Sequence, residues 1–195
     1  AVWMERGLSP NTLAAYRADL TALSRWLRQR GTALDRTSRS DLLAFIAWRV
    51  AGHMIKRLRE AGFDIDAGPA YFGVLRELLV FLLAGADRIA YARLGAEGRT
   101  PFTTTLVQRA AAILEENEAD LLGPLQGTGY AGRFIEQFNL LSAHYAEFGW
   151  SERDGPDFAF VRYLGHRLEP QVPEKDCRWV LDQVMASEAP EAVEV

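Results

Sequence analysis

Apolar residues recur at three- and four-residue steps along this chain, and no stretch alternates apolar with polar residues long enough to make a convincing strand. That periodicity restricts the chain to an all-α fold. The first instance is Leu13, Tyr16, Leu20, Leu23 and Leu27, an apolar stripe along about five turns. Ser9-Pro10 starts this helix, because the serine oxygen can accept from a free N–H and proline has none to waste at the first helical position. Gly31 reads as its stop. A second start follows at Ser38, with Asp41 three residues on in a variant of the capping box. Leu42, Phe45 and Ile46 then supply a buried face.

Further along, Pro69 opens a segment in which Val74, Leu75, Leu78, Leu79, Phe81 and Leu82 cover nearly every side, as in a helix at the centre of a bundle. Thr100-Pro101 reads as the next start, with Leu106, Ala110, Ile113 and Leu114 facing inward. After a loop at residues 123–129, Phe134, Phe138, Leu141, Tyr145 and Phe148 form an aromatic-rich stripe. Residues 157–168 and 174–185 read as two shorter helices. The expectation is a short N-terminal helical segment followed by a bundle of about five helices, with an acidic, disordered tail at residues 187–195.

The net charge of −4 conceals an asymmetry. Residues 1–53 carry eight arginines against four carboxylates; residues 54–195 carry 14 basic and 22 acidic side chains. A polyanion partner is therefore plausible only for the first block. Beside its apolar stripe, Arg17, Thr21, Ser24 and Arg28 fall within about 60° of one another at helical spacing. Such a row of donors is open to two readings: a solvated helix face, or a grip on a phosphate backbone that supplies affinity without reading sequence.

The strings Glu5-Arg-Gly-Leu-Ser-Pro-Asn-Thr-Leu-Ala-Ala-Tyr-Arg-Ala-Asp-Leu20 and Ser40-Asp-Leu-Leu-Ala-Phe-Ile-Ala-Trp-Arg49 resemble the N-terminal core-binding (SAM-like) domain of Xer-type tyrosine recombinases, over residues 1–52. The resemblance implies a small helical bundle that clamps duplex DNA. It places Ser9, Asn11, Thr12, Tyr16 and Arg17 where the first helix approaches phosphates, and Arg36 to Arg39 near the approach of the second; Tyr16 also lies on the apolar stripe. The DNA-binding candidates are thus Ser9, Asn11, Thr12, Tyr16, Arg17, Thr21, Ser24, Arg28, Arg36 and Arg39. Strand cleavage in that family needs a His-x-x-Arg motif and a tyrosine nucleophile in a separate domain. Here His53, His144 and His166 are followed at the third position by Lys56, Glu147 and Glu169, so the expectation is a non-enzyme.

Where the resemblance ends stands Gly52-His53-Met54, a string that a cleaved affinity tag leaves at a cloning site. It reads as a join between a recombinase fragment, residues 1–51, and a separate helical bundle, residues 55–186. Two functions follow: a non-catalytic DNA-binding module, or a protein-interaction bundle that self-associates or holds a partner, with the first block as passenger. A small enzyme has no constellation to support it.

No cofactor or metal site is expected. Residues 123–129 are glycine-rich but lack the lysine of a phosphate loop. Glu115, Glu116, Glu118 and Asp120 spread around more than half the helix and read as a solvated acidic face. His144 and Glu147 make only one reversed half of a di-metal motif. The single cysteine, Cys177, excludes an internal disulfide and suits a reducing cytoplasm. The longest apolar run, Leu78 to Ala84, falls short of the ~20 residues of a membrane span, so no membrane partner is expected.

Overall fold

The computed structural model describes the backbone of residues 10–188 and the side chains of residue 14 and residues 17–186. Among the described residues it is all-α, with six helices and one hairpin of two two-residue strands. The chain forms two compact units, Ala1–Leu42 and Leu43–Val195.

In the first unit, α1 (Pro10–Gln29) follows the expected span. It ends in a Schellman motif: Thr32 N–H reaches back to Leu27 O at 3.0 Å and Gly31 N–H to Arg28 O at 3.1 Å, with Gly31 at φ 63°. Of the predicted stripe, Leu27 is buried and Leu23 half-buried, whereas Leu20 is 46% exposed. The side chains of Leu13 and Tyr16 lie outside the described residues. A 3-10 turn (Leu34–Arg36) leads to Ser38, which caps α2 (Arg39–Glu60). The capping box forms as read: Asp41 N–H donates to Ser38 Oγ at 3.1 Å, and Ser38 N–H donates to Asp41 Oδ2 at 3.2 Å.

One expectation about this helix needs correction. Its buried face is Ala44, Phe45, Ala51, Met54, Ile55 and Leu58, while Ile46 is exposed. The helix runs unbroken through Gly52-His53-Met54, and Met54 is buried. The division into compact units falls at Leu42/Leu43.

In the second unit, α3 (Pro69–Leu122) is two helical limbs meeting at Gly95, whose φ of 66° and ψ of −177° interrupt the helix. The left-handed φ suits glycine because it has no Cβ to clash. Pro101, expected near a helix start, therefore sits inside the second limb. Cross-limb pairs run in antiparallel order: Arg76 with Glu118, and Asp87 with Arg99 and Thr103. The first limb buries Val74, Leu75, Leu78, Leu79 and Phe81; the second buries Leu106, Ala110, Ile113 and Leu114. An 18-residue window of α3 has a mean hydropathy of 1.5 and is, by length and composition alone, apolar enough to cross a membrane; 61% of it is buried inside the protein, as in a core helix.

Against α3 packs α4 (Gly129–Ala146). Its C-terminal carbonyls are closed by Arg88 of α3, whose Nη2 donates to Tyr145 O, Ala146 O and Phe148 O at 2.7–2.9 Å. The strands β1 (Trp150–Ser151) and β2 (Gly155–Pro156) pair antiparallel. Asp157 then caps α5 (Phe158–Leu168), accepting from Phe160 N–H at 2.8 Å. Residues 174–185 are less regular than expected: α6 (Cys177–Gln183) is short and continues into a π turn (Val184–Glu188). Residues 189–195 of the expected acidic tail lie outside the described residues.

Candidate nucleic-acid interface and a buried polar core

Arg17, Thr21, Ser24 and Arg28 are all exposed on α1. Part of this row is engaged with its own helix: Thr21 Oγ1 donates to Arg17 O at 2.7 Å, and Arg28 Nε donates to Ser24 O at 3.3 Å. The Thr21 hydroxyl is thus directed at backbone rather than outward, while the η nitrogens of Arg28 keep four N–H donors beyond that bond. Arg36, in the 3-10 turn, and Arg39, the first residue of α2, are exposed as well. Among the described residues of this unit, none of Arg17, Arg28, Arg36 and Arg39 forms an ion pair with a carboxylate. Ser9 lies outside the described residues; Asn11, Thr12 and Tyr16 lie on α1, but their side chains are not among those described.

The second unit holds a feature that the sequence reading missed: three buried carboxylates, each met by an arginine. Glu77, 2% exposed, accepts from Arg167 Nη2 and Gln137 Nε2 at Oε1 (2.7 and 2.9 Å) and from Arg167 Nε at Oε2 (3.1 Å). Asp87 accepts from Arg99 through both oxygens, at 2.8 and 2.6 Å, and from Thr103 Oγ1 at 2.6 Å. Glu118 takes Arg76. The hydrogen bond to Glu77 is the main cause that raises Arg167 above the ordinary arginine range, and the bond to Asp87 does the same for Arg99. The signal was available: Glu77 and Asp87 interrupt an otherwise apolar run, where an ionised group stays only if paired.

The acidic cluster is corrected accordingly. Glu118 is buried and paired rather than solvated, and Glu115 accepts from Ala131 N–H at 2.6 Å, so these groups serve helix packing. No three metal-ligating side chains converge among the described residues. His144 Nδ1 pairs with Tyr163 Oη at 2.7 Å, and Cys177 Sγ lies 3.2 Å from Glu169 O.

The aromatic stripe of α4 is core, with Phe138 5% and Tyr145 2% exposed. The Tyr145 hydroxyl finds no hydrogen-bond partner among the described residues. Burial, and then the charge of Glu77, raise its pKa well above the ordinary value. A raised folded-state value gives stability that is whole below pH ~10 and is lost as pH climbs through the folded value. Tyr145→Phe is expected to gain about 1 kcal/mol at pH 8, by removing an unsatisfied hydroxyl, and its advantage in thermal melts should widen at pH 11. An advantage independent of pH would contradict this reading.

The family described as phage integrase, N-terminal SAM-like domain, matches residues 1–58. Tyrosine recombinase XerD of Yersinia pestis is 50% identical over 82 residues, 42% of this chain and 24% of that protein. That of Proteus mirabilis is 48% identical over 82 residues, 42% of this chain and 23% of its own. That of Ralstonia nicotianae is 53% identical over 49 residues, 25% of this chain and 16% of its own. The N-terminal part of the chain is a tyrosine-recombinase N-terminal segment. The chain spans about a quarter or less of the length of these relatives, and no solved structure matches it. The family match runs to residue 58, so that likeness spans the Gly52-His53-Met54 tripeptide.

Proposed function

We propose that this chain is a non-catalytic DNA-binding module of the recombinase type, in which Arg17, Arg28, Arg36 and Arg39 hold phosphates of a duplex. The observation that carries the reading is a set of exposed arginines, without carboxylate partners among the described residues of their own unit, on the segment related to tyrosine recombinases. Arg39 adds weight. A cation in the first turn of a helix opposes the helix dipole, which costs a few tenths of a kcal/mol, so its placement fits an external anion better than it fits helix stability. Ser9, Asn11, Thr12, Tyr16 and Ser24 join the proposed contact by resemblance or spacing. Thr21 acts there only if its hydroxyl leaves the Arg17 carbonyl. A non-catalytic role agrees with the histidines: His144 and His166 each face a neighbouring side chain, Tyr163 and Glu169. A bacterial cytoplasmic setting belongs to the same proposal.

Duplex binding followed through a salt titration tests it. Each phosphate contact contributes about 0.9 to the slope of log K against log salt, so Arg17→Ala with Arg28→Ala should lower that slope by about 2 and weaken unrelated duplexes alike. Absent or salt-independent binding rejects the proposal.

A further inference from the structure

We propose that a cleft of the second unit, lined by Trp48, Tyr71, Phe72, Asn117, Asp120 and Leu121, binds a quaternary or methylated ammonium group. The cleft encloses about 330 Å³, the small end of ligand sites. Three of its six lining residues are aromatic, and they come from α2 and from the first turn of α3. Tyr71 and Phe72 pack edge to face at 88° with ring centres 5.4 Å apart, and Phe72 is buried, so the open aromatic surface of this pair is that of Tyr71. Trp48, half-buried, lines the cleft as well. Aromatic faces carry negative charge and attract a cation, most of all one whose methyl groups shed water easily.

The polar part of the lining has the matching sign. Asp120 is an exposed carboxylate on the last turns of α3, and no basic residue lines the cleft. Asn117, which also lines the cleft, donates an amide N–H to Ile113 O at 2.7 Å. The Tyr71 ring already attracts one cation, since the Arg59 guanidinium lies 5.4 Å from its centre. Arg59 is itself held by Ile65 O at 2.6 Å and does not line the cleft. An anion would meet Asp120 and the π faces, and a neutral apolar group would leave that carboxylate unused. A compact, poorly hydrated cation suits both.

Calorimetric titration of the full chain with choline, and separately with 3,3-dimethylbutan-1-ol, isolates the charge, because the two molecules share a shape and differ by one positive centre. Choline should bind about tenfold or more tightly than the alcohol. Asp120→Asn, a surface change, should weaken choline severalfold while leaving the alcohol unaffected. Tyr71→Leu should remove choline binding, with circular dichroism reporting that the fold persists. A peptide bearing trimethyllysine separates the two sources of such a cation: tighter binding than choline places it on a protein partner, weaker binding on a small molecule. Equal affinities for choline and the alcohol, or no heat with either cation, overturns the proposal.

Discussion

Replacing Arg167 with alanine is expected to destabilise the second unit by about 3–5 kcal/mol, because it leaves the Glu77 carboxylate buried with Gln137 as its sole remaining donor. The two partners are unequal. The Glu77 side chain is 3% exposed and has no route to water, whereas that of Arg167 is 34% exposed and can turn outward when released. Glu77→Gln should therefore cost less, about 1–2 kcal/mol, since it removes the charge and keeps an acceptor for Arg167. The double change Glu77→Leu with Arg167→Leu should recover much of the loss, as buried pairs replaced together by apolar side chains often do. Urea unfolding of the single and double variants closes the cycle. A single Arg167→Ala cost below about 1 kcal/mol would mean that the carboxylate finds water or another donor.

The same pair shows where sequence reading stops. Periodicity located the helices and most of the core because packing repeats every three to four residues, and Leu78, Leu114 and Phe134 are buried as that rule requires. Caps were equally legible: Ser38 with Asp41, and Gly31, act through bonds within a few residues. What stayed hidden joins distant positions. Glu77 to Arg167 spans 90 residues, and Arg76 to Glu118 spans 42, so no local pattern announces either. Glu118 was misread for that reason, as its sequence neighbours Glu116 and Asp120 are exposed. Pro101 misplaced a helix start because Gly95, six residues earlier, makes the break. The DNA-contact candidates on α1 were legible as spacing and charge, but the turn of the Thr21 hydroxyl onto its own backbone was not.

Phe160→Ala should cost about 3–5 kcal/mol and lower the melting temperature by roughly 10 °C or more. The ring is fully buried, with its centre 5.5 Å from Phe81, 4.5 Å from Tyr145 and 5.4 Å from Trp150. It therefore joins α3, α4 and the β-hairpin in one contact, and truncation opens a void that three separate elements would have to close. Collapse is hindered because each is fixed by other bonds: Arg88 ties the end of α4 to α3, and Asp157 Oδ2 accepts from Gly149 N–H at 2.8 Å across the hairpin. The control lies two residues away on the same helix. Phe158 is 68% exposed, and Phe158→Ala should stay within about 0.5 kcal/mol of the parent. Thermal melts with tryptophan emission check both, since Trp150 packs on Phe160 and should redden only in that variant. Equal costs at the two positions would mean that α5 does not dock through Phe160, and the aromatic core would have to be redrawn.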